Sequence, residues 1–191
     1  MQEIFSFLLF PDLLIARQVN RHFQDVANTS QIPWEILDFT ILDLVITDTI
    51  VAKLAHFAKS QLFAKVLVIH LDWCSDISNR AVTSLTVLHG STITHISVNG
   101  CTNISDSAVL QITRTCPQLR SLNIARCRVT DRGLLVALPS CINLTSLTIA
   151  NLFDLTDVTL ATILSAMPRY FLRTRTPTLN LVSTCSSPLI C

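Results

Sequence analysis

Three glycines in 191 residues leave nothing from which to build a glycine-rich phosphate loop, and neither GxGxxG nor GxxxxGKS/T occurs. Charge is equally sparse. Fourteen Lys and Arg stand against thirteen Asp and Glu, a net charge of +1 with only 14% of residues charged. Binding to phosphate backbones needs clustered Lys and Arg. Here the basic residues are scattered, apart from Arg169, Arg173 and Arg175, so no nucleic-acid partner is expected. Among the seven cysteines no C-x-x-C pair occurs, and close pairs are what zinc sites favour. There is no GxSxG elbow and no HExxH. No catalytic residue, metal or cofactor is expected. No window of about 18 apolar residues exists, so neither is a membrane-spanning helix.

The apolar run from Ile4 to Phe10 follows Glu3 and is broken by Pro11-Asp12. A secretory signal has a basic start and a small-residue cleavage site, so the expected location is cytoplasmic and/or nuclear, where thiols stay reduced. The N-x-S/T triplets at Asn28, Asn103 and Asn143 then carry no meaning.

Half of the residues are hydrophobic, and they recur with a period. Val66-x-x-Ile69-x-Leu71-x-x-Cys74-x-x-Ile77 is followed by Ile93-x-x-Ile96-x-Val98-x-x-Cys101-x-x-Ile104. Then come Leu119-x-x-Leu122-x-Ile124-x-x-Cys127-x-Val129 and Leu144-x-x-Leu147-x-Ile149-x-x-Leu152-x-x-Leu155. Self-similarity at this spacing marks a solenoid. The apolar alternation suits a short strand with its apolar side chains inward. After each strand comes Ser or Thr with Asp or Asn next: Ser78-Asn79, Ser105-Asp106, Thr130-Asp131, Thr156-Asp157. These read as helix N-caps with a first-turn carboxylate in most copies. Ala108, Val109, Ile112 and Cys116, and likewise Leu134, Leu135 and Leu138, continue at helical spacing. Pro117, Pro139 and Pro168 fall at the return to the next strand. A fainter copy lies in LDFTILDLVITD, with Ile46-Thr47-Asp48 in the cap register. The cysteine closing each strand is filled by Leu152 in the last copy, which marks the slot as packing. A free thiol there acts as a small hydrophobe with a weak donor.

This pattern resembles the cysteine-containing leucine-rich repeat. Residues 1–36 do not follow it. IFSFLLFPDLLIARQVNRHFQDVANTSQIPW carries apolar residues at helical spacing on both sides of Pro11-Asp12 and ends in a Trp. On these residues alone it could be a helical cap of the first repeat, but it also resembles an F-box. An F-box ahead of cysteine-containing repeats is the layout of the F-box/leucine-rich-repeat protein family. The implied fold class is α/β: a leucine-rich-repeat solenoid with parallel strands on its concave face and helices outside, preceded by a small all-helical F-box. The implied domains are an F-box at 1–36, about five repeats at 37–168, and a tail at 169–191.

The resemblance implies a function. F-box helices of that family dock on the Skp1 adaptor, and through it on a cullin, in a ubiquitin ligase, while the repeats hold a protein substrate. Ile4, Leu8, Pro11, Leu13, Val19 and Phe23 match the F-box motif and are the candidates for adaptor contact. Trp34 matches the aromatic at the junction. The Leu-Pro that usually opens the motif does not precede Ile4, so docking is expected to be weaker by roughly 1.5–3 kcal/mol for each apolar side chain lacking. The alternative is a scaffold using the same repeats without ligase activity, for example in a ciliary assembly. In either case no catalysis is expected of this chain.

Residues between the core positions of each strand should form the binding wall. They stack as Val68, His95, Ser121, Ser146; His70, Ser97, Asn123, Thr148; Asp72, Asn99, Ala125, Ala150; and Trp73, Gly100, Arg126, Asn151. The substrate-contact candidates are His70, Asp72, Trp73, His95, Asn99, Asn123 and Arg126, with Trp and Arg the residue types favoured at interface hot spots. Beyond Pro168 the register places Tyr170, Arg173 and Arg175 where Leu is due, and the repeat ends. The tail is read either as disordered or as a displaced edge strand at TLNLV.

Overall fold

The structure is a computed structural model, and it describes residues 35–40, 46–60, 65–152, 155–156, 159, 161–162 and 178–180. The F-box-like stretch lies outside these residues, including Ile4, Leu8, Pro11, Leu13, Val19, Phe23 and Trp34.

Short strands alternate with helices in chain order. The strands are β1 (Ile36–Asp38), β2 (Val68–His70), β3 (His95–Ser97), β4 (Ser121–Asn123), β5 (Ser146–Thr148) and β6 (Thr178–Asn180). The helices are α1 (Asp48–Ser60) after β1, α2 (Asn79–His89) after β2, α3 (Asp106–Thr115) after β3 and α4 (Asp131–Ala137) after β4. A single 3-10 turn at Leu138–Ser140 continues α4, with Pro139 inside it rather than beyond it. All six strands pair in parallel, each with the next in sequence. Parallel neighbours joined by crossovers of one hand put every helix on the same side of the sheet. The result is an open, solenoid-like α/β fold.

The register follows the sequence rows. Leu37, Ile69, Ile96 and Leu122 pair in a line that continues to Leu147 and Leu179. Of these, Leu37, Ile69, Ile96, Leu122 and Leu147 are buried. The strands are short, yet their backbone ladder runs further. Trp73 N donates to Asn99 O at 2.7 Å, Gly100 N to Ala125 O at 2.9 Å and Arg126 N to Ala150 O at 3.0 Å. Each unit therefore satisfies the loop of the one before it, as buried backbone requires. In the fainter first copy, Phe39 and Ile46 are buried and Asp48 opens α1.

On α3 the face that the spacing predicts, Ala108, Val109 and Ile112, is buried, and α2 buries Ala81, Val82 and Leu85 in the same way. On α4, Leu134 and Ala137 are buried, but Leu135 is 40% exposed and does not join the core. Seven residues make fewer than two turns, so a stripe one residue wide suffices there.

The Ser/Thr–Asx dipeptides do more than cap. Of Ser78, Ser105 and Thr130, Ser78 alone accepts from an amide of its own helix, Arg80 N at 3.2 Å. The hydroxyls turn instead to the preceding unit. Asp48 accepts from the Ser78 amide at 2.7 Å and from its hydroxyl. Asn79 accepts from the Ser105 amide at 2.9 Å and donates to its hydroxyl at 2.8 Å. Asp106 accepts from the Thr130 amide and hydroxyl, both at 2.7 Å. Asp131 accepts from the Thr156 amide at 2.9 Å and hydroxyl at 2.6 Å. One Asx at each helix start thus clamps the next unit's cap residue, and the clamp repeats along the stack. Burial draws the Asp131 carboxyl up, but hydrogen bonds from the Thr156 hydroxyl and amide and from Thr159 outweigh it and hold it below its ordinary value.

Candidate interaction face

The strand-closing cysteines sit on the inner side of this face and are inert. The five described cysteines, Cys74, Cys101, Cys116, Cys127 and Cys141, are all buried and free. Cys101 Sγ donates to Leu71 O at 2.9 Å and Cys127 Sγ to Val98 O at 3.1 Å. These two thiols tie one unit's turn to the backbone of the unit before, whereas Cys74 Sγ reaches only Asp72 O of its own turn, at 3.9 Å. Leu152 in the same slot is fully buried but has no such donor. Burial pushes the Cys101 and Cys127 thiols up to about 12, far from the thiolate that nucleophilic or metal chemistry requires. Among the described residues, no group of three or more His, Cys, Asp and Glu converges where a metal ion could be held. None of their helices is long and apolar enough to cross a membrane.

On the other side of the strands, which carries no helix among the described residues, the predicted rows stand in line. The first is Val68, His95, Ser121 and Ser146, and the second His70, Ser97, Asn123 and Thr148. Ile36 and Asp38 of β1 extend both rows at one edge. Within these rows and the next, Ser97, Ala125 and Ala150 are buried. His70, Asn123, Ser121 and Thr148 are half-buried, and His95 is exposed. Partial burial, then the nearby Arg120 and His70, hold the His95 imidazole below its usual value. Its Nδ1 lies 2.7 Å from Thr94 Oγ1.

Asp72 organises the junction of strand and turn. Its Oδ1 accepts from Ser97 Oγ and from the Asn99 amide at 2.8 Å. That use is internal, which separates Asp72 from the other candidates: its carboxylate is already engaged. Beside it, Asn99 Oδ1 is buried without a partner.

The last row has a shared backbone conformation. Trp73, Gly100, Arg126 and Asn151 all have positive φ, at 64°, 77°, 58° and 53°. Each precedes the closing Cys or Leu, where the chain reverses from strand to turn in the left-handed region. Gly and Asn visit that region readily, whereas Trp and Arg are unusual there. Trp73 is 63% exposed. Its ring lies over Gly100, where an added Cβ would come within 2.6 Å of Trp73 Cε3. The guanidinium carbon of Arg126, two units along, is 5.2 Å from the ring centroid, within cation–π range. The structure thus brings Trp73 and Arg126 together across Gly100. It leaves His95 in a different row at the far end of the strand. The pairing of Trp73 with Arg126 is what sequence reasoning missed. Glycine between them in the same row is the signal that could have shown it.

No family model matches the chain. Among solved structures it is similar to a chain of the crystal structure of the Rad7 and Elc1 complex in yeast, at 19% identity and a TM-score of 0.48. The match covers 61% of this chain and 29% of that one.

Proposed function

We propose that this chain is a leucine-rich-repeat substrate receptor of a Skp1–cullin–F-box ubiquitin ligase, acting in the cytoplasm or nucleus. In this reading residues 1–36 form the F-box. Ile4, Leu8, Pro11, Leu13, Val19 and Phe23 supply its adaptor contacts, and the face of the sheet opposite the described helices receives a protein substrate. The chain itself does no chemistry; ubiquitin transfer belongs to other subunits.

The observation that carries the reading is the sheet face that bears no helix among the described residues, with its small polar rows and exposed Trp73 and Arg126. A face of this kind serves binding, and the described cysteines behind it are buried thiols. The F-box part rests on the sequence of residues 4–34 and their position ahead of the repeats.

Co-expression with Skp1, followed by size-exclusion chromatography, tests the reading. The expected result is a stable complex that an Ile4→Asp, Leu8→Asp double variant abolishes. A folded chain that elutes alone overturns the ligase assignment and leaves the repeats as a scaffold without ligase activity.

A further inference from the structure

Arg126 has the cation–π contact with Trp73 and no carboxylate partner among the described residues. The acid next to Trp73 in the chain, Asp72, is already engaged by Ser97 and Asn99. A guanidinium offers five N–H donors in a plane, and stacking on an indole leaves that edge free for a planar anion. Trp73 is equally unusual, a large aromatic left 63% exposed yet held in place. Its backbone is fixed in the left-handed region, and its ring rests on Gly100. Below the pair, Gly100, Ala125 and Ala150 are small and buried, and Trp73 projects above them. An aromatic and an arginine already in place lose little freedom on binding, which is how preorganisation raises affinity.

We propose that Trp73 and Arg126 form one preassembled anchor for an acidic peptide segment of a protein partner. A carboxylate of the segment pairs with the Arg126 guanidinium, and a neighbouring apolar side chain covers the Trp73 ring. The proposal rests on reading the sheet face as the substrate face, but it does not depend on adaptor docking. It names the chemistry of the substrate: acidic residues beside apolar ones, rather than a basic or purely apolar segment.

The test uses the full chain labelled with 15N and two short capped peptides, one alternating Leu and Glu and one alternating Leu and Gln. The readout is the Trp73 indole N–H resonance, identified by its loss in Trp73→Asn. The Glu peptide should shift this resonance with saturation and bind at least about tenfold more tightly than the Gln peptide, the scale of one hot-spot arginine. Arg126→Asn should remove that difference. Asn already occupies the equivalent left-handed position at residue 151, so the substitution is compatible with the backbone, and an unchanged set of other amide resonances verifies the fold. Arg126→Lys should bind less tightly than the parent chain, because Lys keeps the charge but loses the planar fork. Equal shifts by the two peptides, no shift with either at roughly millimolar concentration, or a preference for Glu that survives Arg126→Asn would overturn the anchor. The assay contains no adaptor, so its outcome is independent of the co-elution experiment.

Discussion

Replacing Asp106 with Ala should unzip one joint of the stack. Its carboxylate receives the amide and the hydroxyl of Thr130 from the following unit, both at 2.7 Å. Hydrogen bonds to a charged acceptor are worth about 1.5–3 kcal/mol each. Both residues are only half-buried, so water takes over part of the lost acceptance. Asp106 also opens α3, where its charge favours the helix dipole by about 0.3–1 kcal/mol. The net expected loss is about 2 kcal/mol. With a urea dependence of about 2 kcal/mol per molar, that moves the unfolding midpoint by about 1 M. The fold supplies its own control: Asn79 makes the corresponding clamp to Ser105 with an amide. Asp106→Asn should therefore cost less than about 1 kcal/mol, the value of a neutral hydrogen bond. Urea unfolding of Asp106→Ala, Asp106→Asn, Thr130→Val and the Ala/Val double variant measures all of this. If Asn costs as much as Ala, or if the two single losses simply add to within about 0.3 kcal/mol, the clamp is not an interaction that holds the units together.

Two further outcomes follow from the same geometry. Gly→Ala inside a helix ordinarily stabilises by about 0.5–1 kcal/mol, but a Cβ on Gly133 would come within 2.8 Å of Asp106 Cβ and closer still to its carboxylate. Gly133→Ala should therefore destabilise the parent chain yet become neutral or stabilising in the Asp106→Ala background, a reversal of sign visible in thermal melts. The second outcome concerns pH. His89 is buried, with Nε2 positioned 2.9 Å from Ala55 O to donate to it; burial, aided by nearby Lys59 and His56, holds its imidazole below the ordinary 6.5. The unfolded chain then takes up a proton first, so stability should fall as pH drops below about 6.5. His89→Gln should flatten that slope in urea midpoints taken between about pH 7.5 and 5.5. Asp131, held below 3.8 by Thr156 and Thr159, contributes stability that is fully present above that value. That contribution is lost only in more acid solution, in a window that does not overlap the His89 slope.

The sequence by itself determined the repeating unit, its inward rows and the list of residues that share the open face. The reason is geometric. Strand side chains alternate with a period of two, and units of near-equal length bring corresponding residues side by side, so a pattern read along the chain becomes a pattern read across the sheet. The cysteine slot was legible for the same reason, since Leu152 shares it. Tertiary structure alone decided where the polar groups go, because their partners lie some 24 to 30 residues away. The Ser and Thr that look like helix caps donate to the Asx of the preceding unit. Leu135 leaves the core because α4 is short, and β6 joins β5 at Leu179, displaced from the position that the repeat period assigns. Most consequential for function, local pattern placed Trp73 and Arg126 in one row but could not join them. Only the left-handed turns and the bare surface of Gly100 let the indole lie flat across one unit and meet the guanidinium of the next.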